Sequence, residues 1–145
     1  MTRRHHANGF TLVELMISLS MASVLAASAL PSYQQQVHKS RRADAMEAMA
    51  HVVQQQERYR SQNHAYAEDL QALGLSDASA AGHYRLVLSA VSGQGYTLHA
   101  QAPSASRQAQ DHACQTLTQV LHKGALRYRA LHRNGSDSTA QCWPQ

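Results

Sequence analysis

Only two cysteines occur in the 145 residues, Cys114 and Cys142, and they form no CxxC pair, so a dithiol redox centre or a cysteine zinc site is excluded. Ser, His and Asp are plentiful, but there is no nucleophile elbow, phosphate loop or carboxylate pair of recognisable spacing. Nothing argues for an enzyme. No two of the ten histidines stand four residues apart, and the adjacent His5-His6 lies at the extreme N-terminus, so no metal is expected and no other cofactor is implied. The chain is also too short for two independent domains with separate cores. A last absence is local: from Gln34 to Arg60 there is neither glycine nor proline.

What the chain does have is one long apolar run, Phe10 to Leu30 (FTLVELMISLSMASVLAASAL). At ~1.5 Å per residue it is about the length that crosses a bilayer core as a helix. Its only charge is Glu14. A carboxylate in such a segment costs up to a few kcal/mol unless it is partnered, which marks Glu14 as functional by default. The segment supplies no cation. A partner arises if the chain is cut just before Phe10, because the new α-amino group is one. Ser18, Ser20, Ala22, Ser23, Ala26 and Ala27 crowd this helix with small side chains, which let helices approach closely in lipid or in a helix-packed fibre. An ordinary secretory signal fits the same stretch, with Arg3 and Arg4 as the basic region and Ala27-Ser28-Ala29 as the cleavage rule. Glu14 argues against it, since a charge in a discarded peptide has no use. Lys39, Arg41 and Arg42 follow the run as closely as Arg3 and Arg4 precede it, so charge does not orient it.

Pro31 is expected to kink the helix, and the residues that follow continue it to about Gln62. Met46, Met49 and Val53, with Gln56 and Tyr59, recur at three- and four-residue intervals and predict one apolar stripe for packing on a sheet. Arg41, Arg42, Asp44, Glu47 and Arg58 are expected on a solvated face. A loop over 63–82 includes a short helical turn ending at Gly74. His83–Ala90 and Gly95–Ala102 alternate apolar and polar residues around a Ser92-Gly93-Gln94 turn, predicting a hairpin. Cys114–Leu121 makes a third strand, and a fourth follows the turn at Gly124, with Leu126, Tyr128 and Ala130 on one face. The fold class is α+β, a long bent helix on an antiparallel sheet of three or four strands.

In an oxidising compartment Cys114 and Cys142 would bridge, adding roughly 3–4 kcal/mol by loop entropy; two unpaired buried thiols are the alternative. If the last strand runs throughout, alternation places Lys123, Arg127, Arg129 and Arg133 on one side, with His122 and His132 nearby. This cluster suits DNA or, more plainly, a solvated edge strand guarded by charge. Aromatic residues are thin there, Tyr128 alone, so a stacking platform for bases is not expected.

The run Gly9-Phe10-Thr11-Leu12-Val13-Glu14-Leu15, after a short basic start and before the apolar helix, resembles the type III signal of type IV pilins. The resemblance implies that residues 1–9 are a cytoplasmic leader. A prepilin peptidase would cut after Gly9 and methylate the new terminal Phe10, and Glu14 would pair with the Phe10 amine of a neighbouring subunit. Residues 10–31 would form the membrane or filament-core helix, 32–62 its amphipathic continuation, and 83–145 the sheet with its disulfide-bounded end. Downstream, Gln56-Glu57-Arg58-Tyr59, Gln62-Asn63, Tyr66-Ala67, Leu73-Gly74 and Cys142-Trp143 resemble the PilE-like minor pilins. The implied partners are other pilins, the inner-membrane assembly machinery and the inner membrane itself, which a single-pass subunit leaves for an extracellular pilus serving adhesion, twitching motility or DNA uptake. A DNA receptor for natural transformation and a type II secretion pseudopilin are the alternative roles.

Overall fold

Thr11 sets the start of the chain's dominant element. In the computed structural model, which describes residues 10–143, helix α1 spans Leu12–Asn63, and the Thr11 hydroxyl accepts the Glu14 backbone N–H at 3.2 Å. Thr11-Leu12-Val13-Glu14 has the order of a capping box, and Glu14 in the first turn lies at the positive end of the helix dipole. The helix continues through Pro31. Residues 1–9, the expected leader with Gly9, lie outside the described residues.

Tertiary contacts divide the chain between Val37 and His38. In the first part the helix carries its apolar residues uncovered: Leu12 is 75% exposed, Leu19 68% and Leu25 69%. A soluble core helix would bury them. An 18-residue window here reaches a mean hydropathy of 1.8, enough to cross a membrane by length and composition. The serine hydroxyls do not stand free, because Ser18, Ser20 and Ser23 donate to the carbonyls of Glu14, Met16 and Leu19 at 2.7–2.8 Å. Their polarity is satisfied within the helix, which fits them for apolar surroundings.

In the second part α1 buries Ala45, Met49, Val52 and Gln56. The stripe is therefore turned from the expected Met46–Met49–Val53 line, with Ala45 and Val52 innermost and Met46 and Val53 half-buried. Both lines have helical spacing and share Met49 and the expected Gln56. Gln56 is buried because both ends of its amide pair with the backbone of Ala67, Nε2 donating to the carbonyl and Oε1 accepting the N–H, each at 2.9 Å. Asp44 is not simply solvated either: it accepts the Ser79 hydroxyl at 2.6 Å and the Ala81 N–H at 3.0 Å, fastening the loop to the helix. The segment before Gly74 is a hydrogen-bonded turn, not a helix. Gly74 closes it with φ +70° and its N–H on the Gln71 carbonyl at 2.8 Å.

Four strands follow as an antiparallel meander: β1 Arg85–Ser92, β2 Gly95–Gln101, β3 Thr116–His122 and β4 Ala125–Leu131, in the order β1-β2-β3-β4. Leu86, Tyr96, Leu98, Leu117 and Ala130 form one core with Met49 and Val52 of the helix. The second hairpin turns at Lys123 and Gly124, both with positive φ (50° and 80°), the pattern of a two-residue type I′ turn that matches the strand twist. Gly95 has no substitute, since a Cβ there would sit 1.8 Å from the Leu121 carbonyl oxygen. A short helix α2, Thr139–Cys142, closes the chain against β4, and Cys142 is bonded to Cys114 just ahead of β3. The molecule has the α+β type IV pilin fold.

Candidate assembly end and nucleic-acid interface

The N-terminal end presents two exposed groups, Phe10 at 83% exposure and Glu14 one helical turn further on. Among the described residues no cation pairs with the Glu14 carboxylate. Its first-turn position is favourable through the dipole, by about 0.3–1 kcal/mol at an exposed site. That accounts for a tolerated acid but not for one set in the apolar run from Phe10 to Leu30. A cationic partner from outside the chain would complete it.

The basic cluster divides by position. β4 is an edge strand and ends at Leu131, so strand alternation places only Arg127 and Arg129 on the sheet face away from the helix. Their Cα atoms are spaced by roughly 6.8 Å, two residues of strand rise. Lys123 stands in the β3–β4 turn, and its backbone N–H donates to the Gln94 carbonyl of the neighbouring hairpin at 2.8 Å. Arg133 lies past the strand, where its backbone N–H donates to the His112 carbonyl at 2.8 Å. All four side chains are exposed, and among the described residues none makes an ion pair. By contrast, Arg42 is tied to Asp111 and Arg85 to Asp77.

Register extends the face across the sheet. Arg127 lines up with Val120 and Thr97, and Arg129 with Thr118 and His99. His99 and Thr118 are joined side chain to side chain at 3.1 Å. Burial pushes the His99 imidazole below its ordinary value, so at neutral pH it adds hydrogen-bonding capacity and no charge. Asp137 tempers the cations. Its carboxylate is held below the usual range by the Thr139 backbone N–H first, then by the Thr139 side chain and the Arg129 charge.

One feature of this edge is absent from the sequence pattern. Tyr128, 46% exposed, does not stand alone: Trp143 lies against it with ring centroids 4.7 Å apart and planes inclined at 49°. The indole N–H of Trp143 donates to the Arg129 carbonyl at 2.9 Å, fixing the ring on the strand edge. The signal was available only as a lone tryptophan beside a cysteine. Fifteen positions separate the two rings in the chain, and no periodicity links them.

Among the described residues no cluster of His, Cys, Asp and Glu could hold a metal ion. Comparison with known families gives two matches. Residues 31–118 match the family described as "Type IV minor pilin ComP, DNA uptake sequence receptor", which takes in more than half of the chain, and residues 4–30 match the "Prokaryotic N-terminal methylation motif". No curated protein matches the chain. The first match ends before Lys123, so it and the basic edge are separate observations.

Proposed function

Because the chain belongs to the ComP family of type IV minor pilins, we propose that it is a filament subunit whose β4 edge receives DNA for uptake. The apolar helix holds it in the inner membrane before assembly, and other pilins are its partners in the filament. Its work is association, and the reading needs no catalytic group. The observation that carries DNA binding is the exposed row of Arg127 and Arg129, neither in an ion pair among the described residues, with Lys123 and Arg133 about it, in a family described as a DNA uptake sequence receptor. Cations of this kind neutralise phosphates and release counterions, so the affinity carries a salt dependence.

The full chain in detergent micelles, titrated with duplex DNA at a series of salt concentrations, tests it. Affinity should fall steeply with salt, and Arg127→Glu with Arg129→Glu should flatten the log–log slope by about 2 and weaken low-salt binding by roughly tenfold or more. Undetectable binding at low salt with the Cys114–Cys142 bond intact would return the arginines to guarding an edge strand against aggregation.

Processing belongs to the same reading. The methylation motif over residues 4–30 supports cleavage between Gly9 and Phe10 with N-methylation of Phe10. Mass spectrometry of membrane-derived protein should find that terminus, and Gly9→Val should leave the leader on. A mature N-terminus at Leu30, or normal maturation of the Gly9 variant, contradicts prepilin processing.

A further inference from the structure

An edge strand with phosphate-binding arginines accounts for affinity to any DNA, single- or double-stranded. The same strand carries a group with different chemistry. Tyr128 sits between Arg127 and Arg129, on the opposite face of β4, and nearly half of its surface is open. Its burial pattern sets it apart from its neighbours on that face. Leu126 is half-buried and Ala130 fully buried in the core, whereas Tyr128 between them stays open.

The ring is also held. Trp143 covers one side of it, and Trp143 is itself fixed three ways: its backbone N–H donates to the Thr139 carbonyl at 3.0 Å, its indole N–H to the Arg129 carbonyl, and its neighbour Cys142 is bonded to Cys114. α2 is anchored to the edge by the Thr139 hydroxyl, which accepts the Ala130 N–H at 2.9 Å, and by the Ser138 N–H on the Ala130 carbonyl at 3.0 Å. Such a ring loses little conformational freedom when a planar ligand stacks on it.

We propose that Tyr128, backed by Trp143, is a stacking site for an unpaired DNA base, with Arg127 and Arg129 holding the flanking phosphates. Within an intact duplex each base face is covered by its neighbours. A protein ring at a strand edge therefore reaches only bases that are single-stranded, frayed at an end or unstacked. The ligand at this ring is thus single-stranded DNA or a single-stranded end. This rests on the DNA-binding reading above and adds a preference that the arginines alone do not give.

Trp143 is the only tryptophan in the chain, so its fluorescence reports on this site alone. The full chain in detergent is titrated with three probes at low salt: a mixed-sequence single strand, the same strand made abasic, and the corresponding duplex with closed hairpin ends. The base-bearing strand should quench Trp143, and the abasic strand and closed duplex should not. Tyr128→Leu should weaken the base-bearing strand by roughly 5- to 150-fold while shifting the other two by no more than about twofold. Tyr128→Phe, which keeps the ring, should bind like the parent. Thermal melting and thiol labelling confirm that each variant is folded and bonded. If Tyr128→Leu weakens all three probes alike, or none, the stacking site is wrong while salt-dependent DNA binding stands. If the parent binds none of the three, the DNA reading fails and the stacking site with it.

Discussion

Glu14→Ala should leave export, leader cleavage and the Cys114–Cys142 bond unchanged while its incorporation into sheared pili falls by roughly tenfold or more. The separation follows from position. Glu14 lies in the first turn of α1, and the folded core is built from Ala45 onward. What the substitution removes locally is the dipole interaction, about 0.3–1 kcal/mol, because the Thr11 cap accepts a backbone N–H that alanine keeps. Among apolar helices the dielectric is low, and an unpaired carboxylate is costly there, while one facing a neighbour's Phe10 amine is compensated and also fixes axial register. Glu14→Gln preserves shape without charge and should fail as alanine does. The loss belongs to subunits in the shaft, since a subunit at the tip has no forward neighbour. Quantitative immunoblotting of sheared filaments decides it, and incorporation of Glu14→Ala at the parental level along the shaft defeats the pairing mechanism.

Elements defined by local pattern were legible in the sequence, and contacts closing over long separations were not. The β1–β2 hairpin and the Lys123-Gly124 turn show in alternation and turn residues, because both depend on neighbours in the chain. The helix stripe was legible in period and only partly in phase. Met49 and Gln56 of the expected Met46–Met49–Val53–Gln56–Tyr59 line are buried, while Ala45 and Val52 take the innermost places beside them and Met46, Val53 and Tyr59 are only half-buried. Arg42 reads as a surface cation until Asp111, 69 residues on, is brought against it. The basic row was half legible. Alternation correctly pairs Arg127 with Arg129, yet β4 stops at Leu131, where the Asp137 bridge turns the chain, so Arg133 does not extend the row. Trp143 joined Tyr128 only through α2 and its disulfide, and no local pattern encodes that.

Breaking the Arg42–Asp111 pair should be the most damaging single change to the folded part. Asp111 is 5% exposed, and Arg42 grips it twice, Nε to one oxygen at 2.7 Å and Nη2 to the other at 3.2 Å. Gln108 Nε2 donates to the same carboxylate at 3.0 Å and to the Tyr84 hydroxyl at 2.9 Å, and that hydroxyl donates to the Cys114 carbonyl at 3.3 Å. The helix, Tyr84 just ahead of β1 and the bonded Cys114 are thereby joined through one buried carboxylate. Arg42→Ala leaves that charge buried without its cation, which costs about 3–5 kcal/mol and should lower the midpoint of thermal unfolding by roughly 10–25 °C. Arg42→Met with Asp111→Leu removes both charges and should recover much of the loss. Alkali offers a second reading of the same network. Burial first, with the Asp111 charge, pushes the Tyr84 hydroxyl from its ordinary 10.0 up to about 12, against the opposing pull of the Gln108 hydrogen bond. The neutral phenol is the form the fold selects, so its contribution is complete below the ordinary value and is lost as pH climbs towards the raised one. Unfolding midpoints should therefore fall across that interval in the parent chain. Melting of Arg42→Ala within a few degrees of the parent, with the Cys114–Cys142 bond formed in both, would show that the pair is not what joins the helix to the C-terminal strands.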